Sequence, residues 1–134
     1  MKALMFAMVS ALMLTSCFYD ESVEPRYDYR DSVIGYYEVE EYSQTFDDMT
    51  YYDINISRSS HRDEVWIDNF YAADISVYAV VTYERIRIPF QNVNGYEVEG
   101  SGIVRGDRID FTYSVRDKYS RTVTDFCETT AWLN

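Results

Sequence analysis

The chain has 134 residues and a mass of 15.8 kDa, enough for one domain. Lys and Arg total 12 against 23 Asp and Glu, a formal net charge of −11, which argues against nucleic acid as a partner because phosphate binding needs clustered basic charge. One His and two Cys exclude multi-His metal sites and disulfide-rich scaffolds, while 47% hydrophobic and 26% charged residues fit a globular chain rather than a disordered one.

Met1-Lys2 gives a short positive start, followed by Ala3–Leu14, which is apolar except for Ser10. That run is too short to span a bilayer as a mature helix and fits the apolar core of a signal peptide. Leu14-Thr15-Ser16-Cys17 then resembles the lipobox of bacterial lipoproteins. The resemblance implies that residues 1–16 are removed and that Cys17 is lipidated, anchoring the chain to a membrane with two or three acyl chains. The acidic body should stand off anionic headgroups.

Residues 17–32 read as a tether, with Pro25, many charges and no sustained apolar period. Asp20, Glu21 and Glu24 resemble the acidic export signal of surface-displayed lipoproteins of Bacteroidota; a solvated linker reads the same way. Asp31-Ser32-Val33 resembles an O-glycosylation acceptor of the same bacteria, with Ser32 as the acceptor. Tyr27 and Tyr29 have no packing role that the tether suggests.

From Val33 onward apolar residues recur at period two, not 3.6. The expected strands are 34–42, 50–57, 64–70, 75–83, 85–90, 96–104, 108–116 and 122–132. In the second, Tyr52, Ile54 and Ile56 share a face. In the third, Val65 and Ile67 oppose Trp66, Asp68 and Phe70. The fourth is almost wholly apolar, which predicts cover on both faces. Pro89 should end the fifth or place it at an edge. The inner face of the eighth is not assignable from pattern. Asn94-Gly95 and Gly106-Asp107 are hairpin turns. Eight antiparallel strands with short connections predict an all-β meander, either a small barrel or a barrel-like sandwich, over residues 33–134. Side chains can nearly fill an eight-stranded interior.

Gly35-Tyr36-Tyr37, Tyr52-Asp53-Ile54-Asn55-Ile56, Ile67-Asp68-Asn69-Phe70-Tyr71, Ile86-Arg87-Ile88-Pro89-Phe90-Gln91, Gly100-Ser101-Gly102 and Ile109-Asp110-Phe111-Thr112-Tyr113 resemble small lipocalin-like (calycin-type) lipoproteins of gut Bacteroidota. These motifs are structural and carry no chemistry. The resemblance implies a lipocalin-like barrel on an outer-membrane lipoprotein of the bacterial cell envelope, exposed at the surface in one reading.

Individual residues offer little chemistry. His61 lies in a polar loop beside Ser59, Ser60 and Asp63, where adjacency is not triad geometry. Cys127 is the one thiol left beside a lipidated Cys17 and reads as a small packed strand residue. Glu38 with Glu40, and Glu97 with Glu99, share strand faces as solvated acids. Asp47-Asp48 lack the framework of a Ca²⁺ loop. Arg105-Gly106-Asp107 is an Arg-Gly-Asp triplet that a hairpin tip explains. The 14 Tyr suit strands, and also suit a binding surface. The expectation is a non-enzymatic module without cofactor. It binds a small apolar or glycan ligand, or a protein partner; the alternative is a structural subunit of an envelope complex with a filled barrel.

Overall fold

The computed structural model describes residues 27–119 and 123–134. The expected signal peptide 1–16, Cys17, the tether up to residue 26 and Thr122 lie outside the described residues. Eight strands run in chain order: β1 (Gly35–Ser43), β2 (Asp48–Arg58), β3 (Glu64–Phe70), β4 (Ile75–Thr82), β5 (Arg85–Val93), β6 (Tyr96–Arg105), β7 (Arg108–Asp117) and β8 (Thr124–Leu133). Each pairs antiparallel with the next. β1 also pairs with β8, from Tyr37 opposite Leu133 to Ser43 opposite Cys127, so the meander closes into a barrel and not a sandwich. Closure leaves no sheet edge with unpaired backbone groups.

The period-two pattern sends every second side chain inward. Ile54 and Ile56 on β2, Val65 and Ile67 on β3, and Ile86 and Ile88 on β5 are all buried. β4 departs from the expectation of two covered faces. Ile75, Val77, Ala79 and Val81 are buried inside, but Ser76 and Thr82 are exposed and Tyr78 and Val80 are only half-buried. A barrel is a single layer, so an apolar outer residue finds no second layer to cover it.

Two irregularities correct the parity reading. The β3–β4 register shifts between Ile67 and Phe70, and Asn69 adopts φ 60°. That bulge turns Phe70 inward, where it is 3% exposed, although strict alternation places it outside with Trp66. On β5 the register shifts between Ile88 and Gln91, and the strand runs through Pro89 to Val93. Proline is tolerated at such a bulge because the ladder is already interrupted. The Gln91 side chain supplies the interrupted pairing: its Oε1 accepts the Tyr78 N–H (3.0 Å), and its Nε2 donates to the Tyr78 carbonyl (2.9 Å).

Successive turns alternate between the two barrel ends. The β1–β2, β3–β4, β5–β6 and β7–β8 connections lie at one end, with Asn94 and Gly95 both at positive φ (49° and 85°), as a two-residue hairpin requires. The other end is sealed. Within the segment read as a tether, Tyr29–Ser32 forms a 3-10 turn with Asp28 as its cap. Arg30 Nη1 donates to the carbonyls of Ser59 (3.0 Å), His61 (3.2 Å) and Glu64 (3.3 Å), so one guanidinium fastens the turn to the β2–β3 loop. Val33 behind it is fully buried, and Tyr29 stacks on Tyr83 at 4.7 Å.

Arg30→Ala removes the three carbonyl contacts and the Asp28 pair together. It should lower unfolding stability by roughly 1–3 kcal/mol in urea titrations and accelerate amide exchange at Val33 and Glu64. An unchanged urea midpoint would show that the turn is not a structural plug.

Candidate functional site

On β1, β2 and β8 the inward positions turn polar toward the open end, while Ile75, Val98 and Val115 keep the opposite wall aliphatic there. Glu41 and Ser43 on β1, Tyr52 on β2, Tyr113 on β7, and Asp125, Cys127 and Thr129 on β8 occupy the inner face there. Glu41 and Asp125 are each only 4% exposed.

Each buried carboxylate is held by two hydroxyls. Glu41 Oε2 accepts from Tyr52 (2.5 Å) and from Tyr113, and the two phenol oxygens are 3.0 Å apart. Asp125 accepts from Ser43 at Oδ1 and from Tyr71 at Oδ2, both at 2.5 Å. Among the described residues no Lys, Arg or His forms an ion pair with either acid. Thr129 stands across from Glu41 in the β1–β8 register, is 5% exposed, and its Oγ1 has no hydrogen-bond partner there.

Backbone choices make room for this cluster. A Cβ on Gly100 would lie 2.4 Å from the Thr112 carbonyl and 2.4 Å from Tyr113 Cβ. Glycine at that inward position therefore lets β6 approach the strand that carries Tyr113. Phe70, turned inward by its bulge, packs against the Tyr113 ring at 4.5 Å. Tyr71 reaches Asp125 from the β3–β4 turn, where Tyr71 and Ala72 take successive positive φ values of 59° and 51° as a tight hairpin turn requires.

The β1–β2 turn overhangs the same end. Gln44 N–H donates to the Phe126 carbonyl, Thr45 Oγ1 to the Thr124 carbonyl, and Phe46 N–H to Ser43 Oγ. The first two bonds dock the turn on β8, and the third, within the turn, sets Phe46, 42% exposed, at the mouth. The cleft beneath has a volume of about 590 Å³. Glu41, Asp47, Asp48 and Asp125 supply its acids, Phe46 and Tyr71 its rings, and Ser43 and Thr50 its hydroxyls. The interior is thus neither hollow nor filled: it is solid at one end, and at the other a polar cup opens on the side of β1, β2 and β8.

Burial raises the Glu41 carboxyl to about 7; the Asp125 charge adds to the rise and the Tyr52 hydroxyl opposes it. Burial, followed by Glu41, holds the Tyr52 phenol far above its ordinary value, and burial with Asp125 does the same for Tyr71. The Cys127 thiol is raised by burial and by both carboxylates. Tyr52, Tyr71 and Cys127 therefore remain proton donors at neutral pH, and the thiol is the reverse of an activated nucleophile.

Most residues singled out by sequence fall elsewhere. His61 is exposed at the sealed end, opposite the cup. Glu38 and Glu40 are exposed outside the barrel, and Glu97 pairs with Lys118 at 3.1 Å. Arg105 of the Arg-Gly-Asp triplet is occupied by Asp110 at 3.1 Å, at the sealed end. Asp47 and Asp48 do lie at the cup, and Cys127 packs inside as expected. Ser32 is exposed, with its hydroxyl donated to the Tyr29 carbonyl. A second groove of about 700 Å³ lies at the sealed end beside Tyr27, Tyr29 and Tyr83. Sequence reasoning missed Glu41 and Asp125. Parity with Val39 could have found the first; the second needed the inward side of β8.

No protein-family model matches the chain, and no curated protein matches it in sequence.

A carboxyl raised in the folded state binds a proton that the unfolded chain has already lost, so its contribution to stability falls as pH rises from about 4.5 to 7. Glu41→Gln cannot ionise. Its unfolding free energy should match the wild type at pH 5 and exceed it at pH 8, a gap on the order of 1–3 kcal/mol in urea titrations. Equal differences at both pH values would refute the buried titration.

Proposed function

We propose that the chain is a lipocalin-like envelope lipoprotein, anchored through lipid on Cys17, that takes up a small ligand in the open end of its barrel. The cup carries this reading. It is a recess of about 590 Å³ with buried polar groups at its base and an aromatic ring at its lip. Pockets for small ligands combine such volume with a few fixed polar groups. The raised thiol and phenols favour binding over covalent catalysis. The described chain enters the barrel at the sealed end, the end nearer in sequence to Cys17.

The alternative of a filled structural subunit draws support from the aliphatic half of the interior and from exposed outer rings at Tyr36, Tyr51 and Trp132. A mixed panel of neutral, cationic and anionic small molecules separates the two readings by amide NMR shifts of the detergent-solubilised protein. Binders should perturb Phe46, Tyr71 and Asp125. A panel that leaves those signals unmoved favours the structural subunit. Radiolabelled palmitate should enter the wild type and not Cys17→Ala; labelling of both would remove the anchor from the account.

A further inference from the structure

We propose that the cup binds a small organic cation, its ammonium group seated against Glu41 and Asp125 beneath the rings of Phe46 and Tyr71. This rests on the binding reading above and names its ligand class.

Charge supplies the first argument. Four carboxylates line the cleft, and no basic side chain among the described residues joins them. Leaving two carboxylates buried without a positive partner is costly. Hydroxyls are already provided: each acid receives two, so a sugar would offer more of what is present. The missing component is positive charge, and an anion would meet repulsion.

Size and shape supply the second. The volume suits a molecule rather than a bare ion. Among the described residues no three His, Cys, Asp or Glu converge closely enough to hold a metal. Aromatic rings beside the acids suit an ammonium group, which is drawn to a ring face. A third observation is the Thr129 hydroxyl, buried without a partner at the register position opposite Glu41, though outside the residues that line the cleft itself.

The groups facing Glu41 are Tyr52 from β2, Tyr113 from β7, Asp125 and Cys127 from β8, and Tyr71 from the β3–β4 turn; none is cationic. A bound cation favours the ionised carboxylate, so the Glu41 proton leaves to the buffer while the ammonium keeps its own. With half of Glu41 protonated near pH 7, binding should release up to about half a proton.

Calorimetry on the full-length protein in detergent tests this with 2-phenylethylammonium, n-butylammonium and 1,4-diammoniobutane, the first two against 2-phenylethanol and n-butanol and the third against 1,4-butanediol. At least one ammonium should bind tenfold or more tighter than its alcohol. Its heat should vary with buffer ionisation enthalpy, as proton release requires. Glu41→Gln should abolish that dependence, and Asp125→Asn should weaken binding about tenfold; wild-type isostere pairs decide the matter if either variant misfolds. Alcohols or glucose binding at Phe46 and Tyr71 as tightly as the cations would overturn the ligand class and leave the binding cup standing. If no compound binds at those residues, both readings fall.

Discussion

Two carboxylates inside a closed barrel, each held by hydroxyls and neither paired with a described cation, are the constraint around which the open end is arranged. Burying such groups costs several kcal/mol apiece unless they are protonated, hydrogen-bonded or neutralised. The barrel uses the first two devices. Glu41 moves to about 7, so that near neutrality part of the population carries a proton instead of a charge. Four hydroxyls surround the pair, and burial first, then the same acids, keeps the Tyr52 and Tyr71 phenols protonated.

That arrangement is supported from a distance. Gly100 leaves space for Tyr113, the bulge before Phe70 sets that ring under it, and the positive φ at Tyr71 brings a third phenol to Asp125. The aliphatic half of the barrel provides the rigid base. Its lower end is closed by the Arg30 plug, so the polar groups are held by a packed core and not by loops alone. A ligand entering the cup would meet side chains already oriented, which lowers the ordering cost of binding.

The strand plan was legible because period-two alternation is a local property, and the hairpin at Asn94-Gly95 is set by two residues that accept positive φ. Closure was not legible: whether eight strands wrap or stack depends on the pairing of β1 with β8, about ninety residues away. Phe70 was misplaced because a bulge reverses parity without leaving a composition signal. Pro89 neither ends its strand nor marks an edge, because the replacement bonds come from Gln91 reaching across to Tyr78, which no local pattern signals. The tyrosines of the supposed tether acquired a role only when Tyr29 met Tyr83 in space. The site itself was half legible. Glu41 shares parity with Val39, so an acid at an inward position could be read from β1, whereas its partnership with Asp125 spans the barrel seam.

The titration of the Glu41 side-chain carboxyl, followed by its ¹³C shift in the folded protein, tests the buried acid pair most directly. The account predicts a midpoint near 7 that moves down, toward the ordinary glutamate range, when Asp125→Asn removes the neighbouring charge. A midpoint at the ordinary glutamate value, near 4.5, would contradict it and leave the open end an unexceptional polar surface.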